Sequence, residues 1–410
     1  MIKTVEIDVD RLAIGMYVAE LDRPWLETPF LFQGFLVTEQ AEVDTLRRLC
    51  KRVRIDTTLG DEAAEPPRPV APAKSANELS SSVEIFRTPK RPRIAHVSSV
   101  EEELPRVRQT HAELTRALKD TMEELRSGRV LSVELLQATS APLIDSIGRN
   151  PDALTWLTAM QRKDAGMYRH SMAVAVLVLT FGRHLGLPRQ ALENMALGGL
   201  LFDVGKMRVS DAVLMKPDRL TDEEFHCFQQ HVEYGVDILT GCDHVNEVVL
   251  AMVRTHHERH DGTGYPGGLK GEAIPPLGKI VGIADAYQTM LDSSTAGRRV
   301  SAHEVLRYLN AHRGKLFDAA LVEEFIEAIG IYPTGTVVKL SDASVGVVYE
   351  QNRLRRLLPR VLVVLDGDGH RLKPFQLVDL LMRQSDENQL QIVECLEPGA
   401  CGLDPEELFL

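Results

Sequence analysis

From Glu101 to about Gly330 apolar residues recur at helical spacing almost without a break, and nowhere in that stretch does a strand pattern alternate with a helix. This argues against a doubly wound sheet or a β/α barrel, since both need strand–helix repeats to build a parallel sheet. An all-α core is what remains. Its richest apolar run, "SMAVAVLVLTF" from Ser171 to Phe181, is too short to cross a bilayer and reads as a buried helix. "VEEELPRVRQTHAELTRALKDTMEEL" is amphipathic and charged. "DALTWLTAMQRKDAGMYRHSMAVAVLVLTFGRHLGL" holds two helices, the second ending at Gly186. "LTDEEFHCFQQHVEYGVDIL" opens with Thr221 as a cap and acids in its first turn, and "HVNEVVLAMVRTHHE" and "VSAHEVLRYLNAHR" are further helices.

The period changes on both sides of this core. In residues 1–60, "KTVEIDVDRL" and "KRVRIDTT" alternate as strands, and "TEQAEVDTLRRLC" between them reads as a helix with Leu46 and Leu49 inward. Residues 61–100 contain "EPPRPVAPAKSANELSSS" and the basic "RTPKRPR", which bury too little apolar surface to repay ordering. A mobile, solvated tether is the preferred reading there, ahead of a contact between the basic cluster and an acidic partner. In residues 331–410, "GTVVKL", "SVGVVYE", "RVLVVLDGDGHRLKP" and "QIVECLE" are short strands separated by turn residues, fitting a small barrel-like appendage. The expected fold is therefore multidomain: a helical core at 101–330 between small β-rich N-terminal and C-terminal domains.

A net charge of −12 over 410 residues argues against duplex DNA as a partner, while a local pocket for a small phosphorylated ligand stays open. The five cysteines, Cys50, Cys227, Cys242, Cys395 and Cys401, are odd in number, scattered and without a CxxC. They read as reduced thiols of the cytoplasm. "MIKTVEIDVD" lacks the charged-then-apolar pattern of a signal segment, so cytoplasmic location and no membrane partner are expected.

The chemistry-bearing residues of the helical region are His170, Asp203, His231, His256, His257 and Asp285, each on or at the end of an expected helix. Imidazole with carboxylate suits Fe, Mn, Zn or Ni, and the lack of a thiolate set argues against structural zinc. Singly each signal is weak. A lone histidine such as His170 on an apolar helix is more often a core or surface group. Asp285, inside "IVGIADAYQTM", is harder to dismiss, because a buried carboxylate without partners is costly. His256 and His257 are neighbours that cannot share one helix face, so they are expected to diverge. Beside them "HDGTGYPGG" carries Gly262, Gly264, Gly267 and Gly268, with Tyr265 and Pro266 at the tip, a loop suited to close approach of a ligand. Together these residues suggest one polynuclear site.

The stretch "HHERHDGTGYPGGLKGEAIPPLGKIVGIADAY", the "DVGK" of 203–206, the "KPDRLTDEEF" of 216–225 and His231 followed by Gly235 resemble an HD-GYP domain, a branch of the HD phosphohydrolase superfamily. The resemblance covers about Met167 to Phe325. The first sixty residues resemble, more weakly, a small domain of unknown function often found ahead of HD-GYP domains. The resemblance implies an HD-type helical fold holding transition ions, Fe or Mn, here one or two per chain. It also implies hydrolysis of cyclic-di-GMP. Position by position, His170, Asp203, His231, His256, His257 and Asp285 match the family's metal ligands, with Asp203 the bridging one. Asp203 and Lys206 match catalytic residues. Lys206, Gly264, Tyr265 and Pro266 match the substrate-facing residues. Such chemistry needs cations beside the phosphodiester, and neutral imidazoles with a carboxylate hold them without cancelling their charge.

The sequence departs from the pattern at linked places. The name-giving His-Asp pair is Phe202-Asp203 here, and phenylalanine offers no lone pair. Gly166 stands where three-metal members carry a glutamate. After Asp285, Gln288 replaces an aspartate, and the arginine and tyrosine that usually hold the nucleotide are missing from their places, with Arg298 or Arg299 as substitutes if the loop is longer. Two readings follow. One is a cyclic-di-GMP phosphodiesterase with a weakened metal site. The other is an inactive module that binds cyclic-di-GMP or docks on a diguanylate cyclase (GGDEF) protein. A homodimer is open in both, and a purely structural metal clasp ranks below them.

Overall fold

The computed structural model describes residues 4–22, 35–37, 40–56, 97–126, 133–160, 167–216, 219–292, 294–295, 298–352, 355–385 and 390–403. These divide into two units, within Met1–Leu79 and Ser80–Leu410. In the first, β1 (Thr4–Asp8), β2 (Tyr17–Leu21), β3 (Phe35–Leu36), α1 (Gln40–Leu49) and β4 (Arg52–Asp56) form an antiparallel sheet of order β1-β4-β2-β3 with one helix. Ile7 pairs with Val53, and Val5 with Ile55. Ile7, Val53 and Ile55 form a small core with Val18 and with Val43 and Leu46 of the helix, while Leu49 is half-buried against it. The proposed tether, 61–100, lies outside the described residues up to residue 96.

The second unit runs through α2 (Val100–Arg126), α3 (Val133–Arg149), α4 (Pro151–Met160), α5 (Met167–His184) and α6 (Arg189–Leu201). It continues with α7 (Asp211–Leu214), α8 (Asp222–Gln229), α9 (His231–Leu239), α10 (Glu247–Thr255) and α11 (Pro276–Asp292). After a two-stranded ribbon, β5 (Ser294–Thr295) with β6 (Arg298–Arg299), come α12 (Ala302–Ala311) and α13 (Ala319–Ile329). Every residue of α5 from Ser171 to Phe181 is buried, because α5 packs against α3, α4, α6, α11 and α13 at the centre. That explains its unbroken apolar run. Thr221 caps α8 through a reciprocal capping box with Glu224. The helix does not continue as the sequence pattern suggests: α8 ends at Gln229, and α9 starts at His231. None of the described helices is long and apolar enough to cross a membrane.

β7 (Val337–Leu340), β8 (Val345–Glu350), β9 (Arg360–Leu365), β10 (Arg371–Asp379) and β11 (Ile392–Cys395) form an antiparallel sheet of order β10-β9-β8-β7-β11. The expectation was barrel-like, but the strands make one sheet with β10 and β11 at its edges. Its side chains alternate between two cores. Val345, Val347, Tyr349, Leu362 and Val364 join the helical core, and Val338, Leu340, Val348, Val361 and Val363 form a second cluster on the other face. Trp156 of α4 meets Tyr349 edge-on at 4.9 Å. The buried Asp152 accepts from Thr334 Oγ1 (3.0 Å) and from the Gln351 amide (3.2 Å), tying α4 to the strands.

Candidate metal centre

Helix α6 ends on Phe202, its C-cap, and Asp203 follows at the head of the 3-10 turn Val204–Arg208. Gly205 is the closest point between this turn and α9: a Cβ there would overlap the His231 carbonyl and the Gly235 amide. Only glycine allows that approach, which delivers Asp203 to His231. Asp203 is 1 % exposed, and its two oxygens differ. Oδ2 accepts from Lys206 Nζ at 2.6 Å. Oδ1 is buried without a hydrogen-bond partner, 3.4 Å from His231 Nε2 and 3.7 Å from His256 Nε2.

The histidines present lone pairs to this oxygen. His231 Nδ1 donates to the Phe228 carbonyl (2.6 Å) and His256 Nδ1 to the Val253 carbonyl (2.7 Å), which leaves both Nε2 atoms unprotonated in the neutral rings. Burial pushes His231 down, His256 down to about 4, and His257 well below its ordinary value, so all three are neutral at pH 7. His231 Nε2 lies 3.4 Å from His256 Nε2 and 3.2 Å from His257 Nε2. The lone pairs of His231 and His256 beside a carboxylate oxygen share no proton. An electron-rich knot of this kind is a candidate ligand set for a cation, and the residues present fit a divalent transition-metal ion. Asp203, His231, His256 and His257 each bring one donor atom within 4.8 Å of the others. The expected divergence of His256 and His257 is not found. Helix α10 stops at Thr255, His256 is its C-cap, and both rings turn toward His231, 4.1 Å apart.

His170, Asp203 and Asp285 form a second group. Here His170 Nε2 donates to Asp285 Oδ1 (2.9 Å) and Nδ1 to Asp292 Oδ2 (3.1 Å). Burial opposes the charge on His170, but the two carboxylates outweigh it and raise the ring to about 9. Burial likewise opposes ionisation of Asp203 and Asp285; Lys206 in one case and His170 in the other hold them below the usual carboxylate range. Phe202 is fully buried against a histidine of each group, its ring 5.0 Å from His256 and 5.9 Å from His170.

The Gly264, Tyr265 and Pro266 loop lies beside the first group. Tyr265 packs against His257 at 4.6 Å, and burial raises its hydroxyl far above its ordinary value. A Cβ on Gly264 would overlap the His257 carbonyl and the Arg259 amide. Lys206 Nζ also sits 5.5 Å over the Phe228 ring. His260 is in neither group; its amide bonds the Leu316 carbonyl. Arg299 is exposed on β6, and Gly166 and the Arg298 side chain lie outside the described residues.

Several contributors escaped the sequence reading. Asp292 lies two turns after Asp285 on the same face of α11 and also pairs with Arg169 Nη2 at 2.7 Å. The i, i+7 spacing was a signal, but the partners lie in α5, over a hundred residues away. Glu258, buried inside the quoted loop, accepts from the Gly267 amide (2.7 Å) and the Leu269 amide (2.8 Å) and so holds the loop closed.

Comparison with known proteins gives the same family. A model described as "HD domain" matches residues 152–321, and a domain of unknown function matches residues 4–136. A cyclic di-GMP phosphodiesterase of Pseudomonas aeruginosa is 34% identical over 380 residues, covering 91% of this chain and 88% of that protein. A cyclic di-GMP phosphodiesterase response regulator of Xanthomonas campestris is 32% identical over 200 residues, covering 48% of this chain and 52% of that protein. A cyclic di-GMP phosphodiesterase of Thermotoga maritima is 32% identical over 166 residues, covering 40% and 45%. The chain thus spans most of the first relative and about half of the other two. With that extended match to the Pseudomonas protein, the HD-domain match and the Gly264-Tyr265-Pro266 loop set against the histidine cluster, the chain belongs to the HD-GYP branch of the HD-domain family.

Proposed function

We propose that the chain is a metal-dependent phosphodiesterase acting on cyclic-di-GMP. In this reading Asp203, His231, His256 and His257 hold one iron or manganese ion, and turnover is weakened because Phe202 stands where a second ion would need an imidazole. The observation that carries it is the unpartnered, buried Asp203 Oδ1 facing two imidazole lone pairs. The names of the relatives supply the substrate.

A bound cation supplies activation of water and neutralisation of charge on a phosphodiester oxygen. The chain's own groups do the rest. Lys206, raised above its ordinary value by Asp203 despite burial, brings a fixed positive charge to the same place and attracts a phosphate oxygen. Tyr265 walls the cluster and limits water beside His257. Asp285 and Asp292 accept from the two ring nitrogens of His170 and fix its ring beside Asp203.

The test is anaerobic loading with Fe(II) or Mn(II), with cyclic-di-GMP followed by chromatography. Formation of the linear dinucleotide or GMP that disappears in Asp203→Ala supports the enzyme. The filling of the second group by Phe202 and the His170 ion pairs favours a second reading, a module that binds cyclic-di-GMP or docks on a diguanylate cyclase without turnover. Saturable binding with no product in the same experiment would select it.

A further inference from the structure

Helix α8 buries none of its eight residues, yet it carries Phe225, which is 45% exposed. It is held in place from both ends of its first turn. The capping box joins Thr221 and Glu224, and Lys216 Nζ bonds both oxygens of Glu224. The exposed ring therefore sits on a fixed support. Around it, aromatic groups form a path leading out of the metal cluster. Phe228 lies 4.9 Å from His231. The Phe225 ring is nearly parallel to Phe228, 15° and 6.5 Å away, and meets Tyr265 edge-on at 6.0 Å. Lys206 Nζ is at the inner end, over Phe228. The path is cationic inside and flat, apolar and open outside.

Core packing does not explain Phe225, because it stays 45% exposed beside Phe228 and Tyr265 and its helix buries nothing. A ligand with a phosphate followed by an aromatic base has the matching order of charge and flat surface. We propose that Phe225 is the stacking platform for one guanine base of the dinucleotide whose phosphate lies at Lys206 and the histidine cluster. This rests on the function proposed above and names a residue that sets affinity for its substrate. Because stacking uses the π-face of the base, its contribution is lost on truncation and kept by another aromatic ring.

The test is calorimetric titration of the Mn(II)-loaded full chain with a phosphorothioate analogue of cyclic-di-GMP that resists hydrolysis, with inorganic phosphate as the probe that lacks a base. Phe225→Ala is expected to weaken the analogue about tenfold or more, Phe225→Trp to bind it about as well as the unaltered chain, and phosphate affinity and metal content to stay the same in both. Unchanged affinity of Phe225→Ala for the analogue overturns the inference and leaves the proposed function standing. Equal loss of analogue and phosphate also overturns it, since the defect would then lie in the metal cluster. Failure of the unaltered, loaded chain to bind the analogue at all would sink both this inference and the function beneath it.

Discussion

The Phe202 ring meets the His256 imidazole edge-on, 82° between planes and 5.0 Å between centroids, and lies 5.9 Å from the tilted His170 ring. A hydrocarbon ring thus packs against a histidine of each group of potential ligands, groups that share Asp203 and approach each other again at His257 and Asp285, 3.9 Å apart. Phe202→His would replace apolar packing by a buried imidazole, costing about 1–3 kcal/mol in the metal-free chain. It would also add a lone pair beside Asp203 and His170. The expected outcome is metal content rising toward two ions per chain, with stability recovered on loading. Elemental analysis checks it; an unchanged ion count means that Phe202 does not limit the second group.

Gly205 sets the spacing between Asp203 and His231, and a methyl group there meets main-chain atoms that cannot move aside. Gly205→Ala is expected to cost about 3 kcal/mol and to lower metal content together with it. Thermal unfolding with and without loaded metal reads both effects.

Glu258 spans the loop by accepting two amides, so the loop's closure depends on one buried carboxylate. In Glu258→Ala the Gly267 and Leu269 amides are expected to exchange with solvent at least tenfold faster, the equivalent of about 1.4 kcal/mol or more. Protection in α5 should stay unchanged, and hydrogen exchange followed by mass spectrometry separates the two regions.

Outside both ligand groups, the buried Glu103 accepts from Arg149 Nε (2.7 Å) and Nη2 (3.0 Å), Ser146 Oγ (2.9 Å) and Ser98 Oγ (3.1 Å), joining α2 to α3. Burial alone would raise its carboxyl, but these donors outweigh burial and lower it from 4.5. A carboxyl lowered by folding stabilises the fold above its unfolded value and loses that contribution as pH falls through the folded one. Stability of the second unit should therefore drop as pH goes below about 4.5. Glu103→Gln should flatten that slope and cost about 3 kcal/mol at pH 7. Denaturant titrations at pH 7 and pH 3.5 measure both.

Helical periodicity and strand alternation were enough to mark 101–330 as helical and to single out α2, α4, α5, α10, α12 and the C-terminal strands, because those signals are local, whereas α3, α6 and α13 were not singled out. The break between α8 and α9 was not legible: Gln230 is no helix breaker, and the turn follows from His231 bonding the Phe228 carbonyl and packing against Gly205. The convergence of His256 and His257 depends on where α10 stops, which helix spacing alone does not reveal. Asp292 and Glu258 were missed for a related reason, since an acidic residue shows its role only through partners distant in sequence or in the main chain. Phe202 was the opposite case. That it is no metal ligand needed no geometry, because a side chain without a lone pair cannot be one in any fold.

Asp203, His231, His256 and His257 are proposed to make one well-formed ion site. Metal count and identity in the full chain purified without chelator and loaded anaerobically test it most directly. One iron or manganese per chain, falling below half an ion in Asp203→Ala, is the expected result. No bound transition ion under any loading condition, or two equally tight ions in the unaltered chain, would contradict it.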